Sequence, residues 1–76
     1  MMAVLPTLSG REVAKVFAKD GWQQVRQRGS HMILVKEGCL VTLSVPDHKE
    51  IAKGTLRSLI RSCGLTSDEF VALAQG

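Results

Sequence analysis

The chain predicts a two-layer α+β domain with elements in the order α-β-β-β-α and a short C-terminal helix. Three observations predict it. Apolar residues recur at helical spacing near both ends of the chain, they change to a period of about two between Trp22 and Val45, and glycines stand where the period changes. Three strands alone bury too little surface to be stable in water, so both main helices are expected to cover one face of the sheet and leave the other open.

Residues 1–7 read as a flexible lead-in and 8–76 as one domain. Ser9 with Glu12 forms a capping box, and Leu8 with Val13 a hydrophobic staple, which start a helix at Gly10. Val13, Val16 and Phe17 make its apolar stripe, and Gly21 supplies the left-handed residue that stops it. Trp22 to Gln27 alternates loosely, Arg28-Gly29-Ser30 turns the chain, and Met32-Ile33-Leu34-Val35 is an aliphatic strand. Glu37-Gly38 turns it again into a strand from Cys39 to Val45, with Val41, Leu43 and Val45 on one face and Pro46 as its end. The three strands form an antiparallel meander. A second helix, Lys53 to Cys63, carries Leu56, Leu59, Ile60 and Cys63 at buried-stripe spacing and closes at Gly64. Thr66 with Glu69 repeats the capping box, so a short third helix brings Phe70, Val71 and Leu73 back onto the body.

Composition narrows the function. At 76 residues there is room for one modest core, which excludes a cofactor-binding domain joined to a separate substrate domain. Ten Lys and Arg against seven Asp and Glu leave a net charge of +3, a mild lean toward a polyanionic partner. A hydrophobic fraction of 45% is that of a folding chain and not of a disordered tail. No apolar run approaches the roughly 18 residues a membrane span requires. The start, Met1-Met2-Ala3-Val4-Leu5-Pro6, has neither the basic segment nor the long apolar stretch of an export signal. A cytoplasmic location without membrane contact is the expectation. Cys39 and Cys63 have no close cysteine partner and fall at apolar positions, so both read as reduced structural thiols.

The chemistry gathers around Arg26-Gln27-Arg28-Gly29-Ser30-His31. From Gly21 to Lys36 the chain holds Arg26, Arg28 and Lys36 and no carboxylate, so His31 is placed among cations able to hold a phosphate. Imidazole is the side chain whose ordinary pKa lets it take and give a proton near neutral pH, and Gly29-Ser30 adds backbone and hydroxyl donors. RNA brings its own nucleophile. His31 could withdraw the 2′-OH proton while Arg or Lys side chains stabilise the charge that builds on the attacked phosphate. A second group must protonate the leaving oxygen, and His48, Lys49 or an RNA-bound water are the candidates. The plainer reading of each stands beside this one: His31 as a surface residue at a strand start, His48 and Lys49 as residues of the loop entering the second helix. The stripes Arg11-Lys15-Lys19 and Lys53-Arg57-Arg61 read as solvated helix faces. No metal site is expected, because the histidines and cysteines lack short paired spacings. No hydrolase triad or Gly-rich phosphate loop is present either, and no cofactor is expected.

The segments Leu8-Ser9-Gly10-Arg11-Glu12, Asp20-Gly21-Trp22, Arg26 to His31, Val45-Pro46-Asp47-His48 and Lys53-Gly54-Thr55-Leu56-Arg57, ending in Cys63-Gly64-Leu65, together resemble the HicA (YcfA-like) mRNA interferase toxins. The resemblance covers about residue 8 to Leu73, with the motifs in the family's order. It implies a double-stranded-RNA-binding-domain-like fold and a ribonuclease acting on mRNA, with the catalytic histidine at His31. It also implies a HicB-type antitoxin that blocks the active-site surface. Arg26, Arg28, Gly29, Ser30, Lys36, His48 and Lys49 are the expected RNA contacts. The chain departs from the family at Met32-Ile33-Leu34-Val35, wholly aliphatic where the family often carries polar and aromatic residues. The alternatives to a toxin are a non-catalytic RNA-binding module of the same fold and a pure protein-interaction domain.

Overall fold

The computed structural model describes residues 4–76, so the first three positions of the expected lead-in lie outside the described residues. The elements run α1 (Gly10–Lys19), β1 (Trp22–Arg28), β2 (His31–Lys36), β3 (Leu43–Pro46), α2 (Lys53–Ser62) and α3 (Ser67–Gln75). The α-β-β-β-α order followed by a third helix is as the sequence predicts.

α1 begins at the capping box. Ser9 Oγ accepts from the Glu12 backbone N–H at 3.1 Å, and Glu12 Oε1 accepts from the Ser9 N–H at 2.9 Å, so two otherwise orphaned donors are satisfied. That same Ser9 N–H holds the Glu12 carboxyl below its ordinary pKa. Gly10 sits against the end of β3, where its N–H donates to the His48 carbonyl at 2.9 Å. A Cβ at Gly10 would collide with the Pro46 carbonyl oxygen. Only glycine lets α1 start this close to β3. Thr66 and Glu69 form the second capping box at the head of α3, and Phe70 then meets Phe17 with ring centroids 5.4 Å apart at 59°, a tilted geometry favoured by the ring quadrupoles.

The three strands form one antiparallel sheet in the order β1-β2-β3. Trp22, Met32, Leu34, Leu43 and Val45 point to the helices and pack with Val13, Val16, Phe17, Leu56, Ile60 and Phe70 in the core cluster. Ile33 is also buried, yet it stands outside that cluster because it lies on the opposite face of β2. No helix among the described residues is long and apolar enough to cross a membrane.

Three local features differ from expectation. The third strand is Leu43–Pro46 instead of starting at Cys39. A tight turn at Glu37-Gly38 would set Val41 opposite Leu34, but Leu43 takes that place. The two-residue slip keeps the same faces, since side chains alternate. It places the bulkier leucine in the core and leaves Leu40 and Val41 exposed. Leu5, within the expected lead-in, is buried in the core, and the Lys53 ammonium donates to its carbonyl at 2.7 Å and to Thr7 Oγ1 at 3.3 Å. Lys53 thus leaves the solvated stripe expected for it, whereas Lys19 stays exposed while donating to the Leu73 carbonyl at 2.9 Å. Cys39 and Cys63 are both free and partly buried, and burial pushes the Cys63 thiol up from its ordinary pKa.

Gly10→Ala is expected to force α1 away from Pro46, at a cost of about 2 kcal/mol or more by analogy with overpacked cores. Urea unfolding measures it, and an unchanged midpoint would contradict the tight α1–β3 contact.

Candidate functional site

Alternation alone would put Trp22, Gln24, Arg26 and Arg28 on one face of β1, the face of the core. The pairing with β2 shows otherwise. Trp22, Gln23 and Gln24 pair with Lys36, Val35 and Leu34, whereas Arg26, Gln27 and Arg28 pair with Ile33, Met32 and His31, with an irregularity between Gln24 and Arg26. Val25 is the extra residue of a β-bulge, and it is exposed. After it the faces exchange. Gln27 turns to the core side opposite Met32, and Arg26 and Arg28 turn to the open side with Ile33 and His31. Arg28 is thereby the direct cross-strand partner of His31, with Cβ atoms expected at about 5 Å, and Arg26 is its diagonal neighbour.

Between them the chain reverses through Gly29 and Ser30. Gly29 has φ +56°, while no non-glycine residue among the described residues has positive φ, so the positive φ falls on the first turn residue alone, as in a type II′ hairpin. Glycine meets that demand without strain. His31, Arg26, Arg28, Gly29 and Ser30 are all exposed.

On its other side His31 pairs with Pro46. Pro46 lacks an N–H but ends an edge strand, where none is needed. The chain continues into Asp47, His48 and Lys49, bringing that loop beside the hairpin turn. The Asp47 N–H donates to the Ser30 carbonyl at 2.6 Å, and His48 and Lys49 are exposed beyond it.

The structure does not bring Lys36 to this corner. It lies five residues from His31 along β2, roughly 16 Å at strand rise. The odd spacing places it on the opposite face. There its ammonium donates to Asp20 Oδ2 at 3.2 Å, across the end of α1. A carboxylate absent from the local sequence does enter instead. Asp47 Oδ2 accepts from Gln27 Nε2 at 3.3 Å and Oδ1 from Arg11 Nε at 3.4 Å. The Gln27 amide first, and then the Arg11 guanidinium, hold the Asp47 carboxyl below its ordinary pKa. Sequence reading missed Asp47, Gln27 and Arg11 as parts of the site. No local signal pairs them, since the contacts span twenty and thirty-six positions.

The corner is an exposed surface. A groove of about 490 Å³ lies between α1 and the core side of β1, and one of about 520 Å³ lies beside α3. Neither includes His31. A cationic imidazole-bearing surface of this shape suits an extended polyanion better than an enclosed small molecule. Among the described residues no three His, Cys, Asp or Glu side chains come together as a metal-binding group.

A protein-family model described as the HicA toxin of bacterial toxin-antitoxin systems matches residues 10–65, a span from the first residue of α1 to the residue before the α3 cap. Among solved structures, a chain of a toxin-antitoxin complex from Streptococcus pneumoniae is similar at 29% identity and a TM-score of 0.68, over 76% of this chain and 98% of that one. No curated protein sequence matches the chain.

Because folding lowers the Asp47 pKa, the stability contributed by its ionised form is complete above its ordinary value of 3.8 and is lost as pH falls through the lower folded value. Asp47→Asn is therefore expected to be less stable than the wild type at neutral pH, with the gap closing in acid. Urea midpoints compared at about pH 6 and at pH values below the ordinary Asp pKa check this, and a gap that stays constant would contradict it.

Proposed function

The chain belongs to the HicA toxin family of bacterial toxin-antitoxin systems, and from that premise we propose that it is an endoribonuclease that cleaves mRNA in the cytoplasm with His31 as its catalytic residue. The observation that carries this reading is the β-bulge at Val25, which turns Arg26 and Arg28 to the same open face as His31. An RNA phosphate lying over β1 and β2 meets both guanidiniums, and the imidazole stands next to them. His31 withdraws the proton of the 2′-OH, the oxygen attacks the adjacent phosphorus, and the P–O5′ bond breaks. The departing 5′-oxygen takes a proton from His48, Lys49 or an RNA-bound water to leave as a hydroxyl, while the arginines stabilise the charge on the non-bridging oxygens. Gly29 and Ser30 add backbone and hydroxyl donors at the turn. His48 and Lys49, on the loop leaving β3, extend the cationic track along the RNA. The 2′-OH is the nucleophile and histidine the base, so the reaction needs no metal.

The partner in this reading is a HicB-like antitoxin that covers the open sheet face. That face offers such a partner the exposed Arg26 and Arg28, and a protein lying there excludes RNA from His31. The similarity to a chain of a toxin-antitoxin complex supports a partner of this kind.

His31 is exposed and lies outside the core, so His31→Ala should keep the wild-type unfolding midpoint. General base catalysis is worth roughly 10²–10⁴-fold, so cleavage of a single-stranded RNA in chelator-containing buffer should fall by at least about a hundredfold. RNA binding should persist and weaken with salt through the arginines. A folded His31→Ala protein that cleaves at the wild-type rate sinks the mechanism. A wild type that binds RNA without ever shortening it makes the chain a binding module.

A further inference from the structure

The geometry points to Asp47 as the positioning residue of the His31 corner, acting through Gln27 on the Gly29-Ser30 turn. This inference rests on the ribonuclease reading for its catalytic consequence, but the clamp itself is visible in the hydrogen bonds. A two-residue hairpin turn is ordinarily held by its flanking strand pair, and its own carbonyls face water. Here both carbonyls are held. Gly29 O accepts from Gln27 Nε2 at 3.3 Å, and Ser30 O accepts from the Asp47 backbone N–H at 2.6 Å. The same Gln27 amide donates to Asp47 Oδ2 at 3.3 Å, which closes a ring of bonds from turn to Gln27, to Asp47 and back to the turn.

Asp47 can serve as the fixed point because its backbone is anchored on both sides. Pro46 pairs with His31 in the ladder, and the His48 carbonyl accepts from Gly10 at the start of α1. Its carboxylate faces two donors at once, Gln27 through one oxygen and Arg11 through the other. Two acceptor oxygens are needed for this, and asparagine has only one. The bulge matters here as well, since it is what sends Gln27 to the side of the sheet away from Arg26 and Arg28.

Magnitudes decide what this ring does. Its side-chain bonds, at 3.3 to 3.4 Å, are longer than the usual range and lie at the surface, so they add little to global stability. Their effect falls on the order of one turn. His31 follows that turn directly, and a misplacement of about 1 Å in a reacting group can cost on the order of a hundredfold in rate. Gln27 and Asp47 touch no reacting atom. They hold in place the residue that does.

The test uses the whole chain and the variants Gln27→Ala, Asp47→Ala, Asp47→Asn and the double alanine variant. Cleavage of a single-stranded RNA is followed for kcat and KM, and backbone ¹⁵N relaxation is measured at Gly29, Ser30 and His31. Each alanine variant should lose about tenfold in kcat with KM unchanged, and the double variant should lose no more than the worse single one, because the two residues act as one unit. Asp47→Asn should retain part of the activity lost in Asp47→Ala. Order parameters at the turn should fall from about 0.85 toward about 0.6 in both alanine variants. Unchanged order parameters overturn the clamp whatever the RNA assay gives. A loosened turn with undiminished kcat, or independent additive losses, overturns the positioning role. If the wild type cleaves no RNA while the variants still loosen the turn, the ribonuclease reading fails and the clamp stands.

Discussion

One inserted residue in an edge strand, Val25, decides which way the cations of this protein point, and the arrangement of the open face depends on it. Side chains in a strand alternate strictly, so a single-residue insertion exchanges the faces for everything that follows. Before Val25 the even positions of β1 face the core, as Trp22 and Gln24 do. After it the odd position Gln27 does, and Arg26 and Arg28 are released to the open side beside His31. A regular strand would have turned the two guanidiniums toward the helices. There, like the exposed Gln24 and Gln27, they would line the groove beside Arg11 and Lys15, away from His31. The bulge is therefore as much a feature of charge placement as of strand geometry.

A second constraint fixes the other flank of the same corner. α1 starts against the end of β3 because Gly10 has no side chain to obstruct the Pro46 carbonyl. The Gly10 N–H binds the His48 carbonyl, the Ile51 N–H binds the Leu8 carbonyl, and the Asp47 N–H binds the Ser30 carbonyl. The loop after β3 is thus tied to the helix layer and to the hairpin turn by backbone bonds. His31 lies between two anchored neighbours, Arg28 on one side and Pro46 on the other. An exposed residue has little packing to orient it, and here the backbone supplies the order that packing does not.

The helices were legible because their signals are local. Ser9 with Glu12 and Thr66 with Glu69 announce their helix starts within four residues, and both boxes form. The apolar stripe Leu56, Leu59, Ile60 is buried as its spacing requires. The turn before His31 was legible for the same reason. What escaped were quantities set across the fold. The slip of β3 by two residues preserves its face pattern, so periodicity could not reveal it, yet it brings Pro46 and Asp47 to the corner. Lys36 looked like part of the basic segment, but the odd count from His31 sends it to the other face and to Asp20, sixteen positions away in sequence. Asp47 meets Gln27 across twenty positions and Arg11 across thirty-six, distances over which sequence alone carries no pairing information. Lys53, read as solvated, instead reaches the Leu5 carbonyl, forty-eight positions away.

A corner of this construction makes a chemical commitment. In the ribonuclease reading proposed above, the nucleophile is the 2′-hydroxyl of the RNA itself. The bond that breaks then leaves a phosphate joined to both the 2′ and 3′ oxygens on the upstream fragment. Mass spectrometry of the fragments from a defined RNA oligonucleotide tests this most directly. The account predicts 2′,3′-cyclic phosphate ends paired with 5′-hydroxyl ends, and no cleavage where the cleaved nucleotide is replaced by its 2′-deoxy form. Fragments bearing 5′-phosphate and 3′-hydroxyl ends would contradict it, since they require an attacking water and not the hydroxyl next to His31.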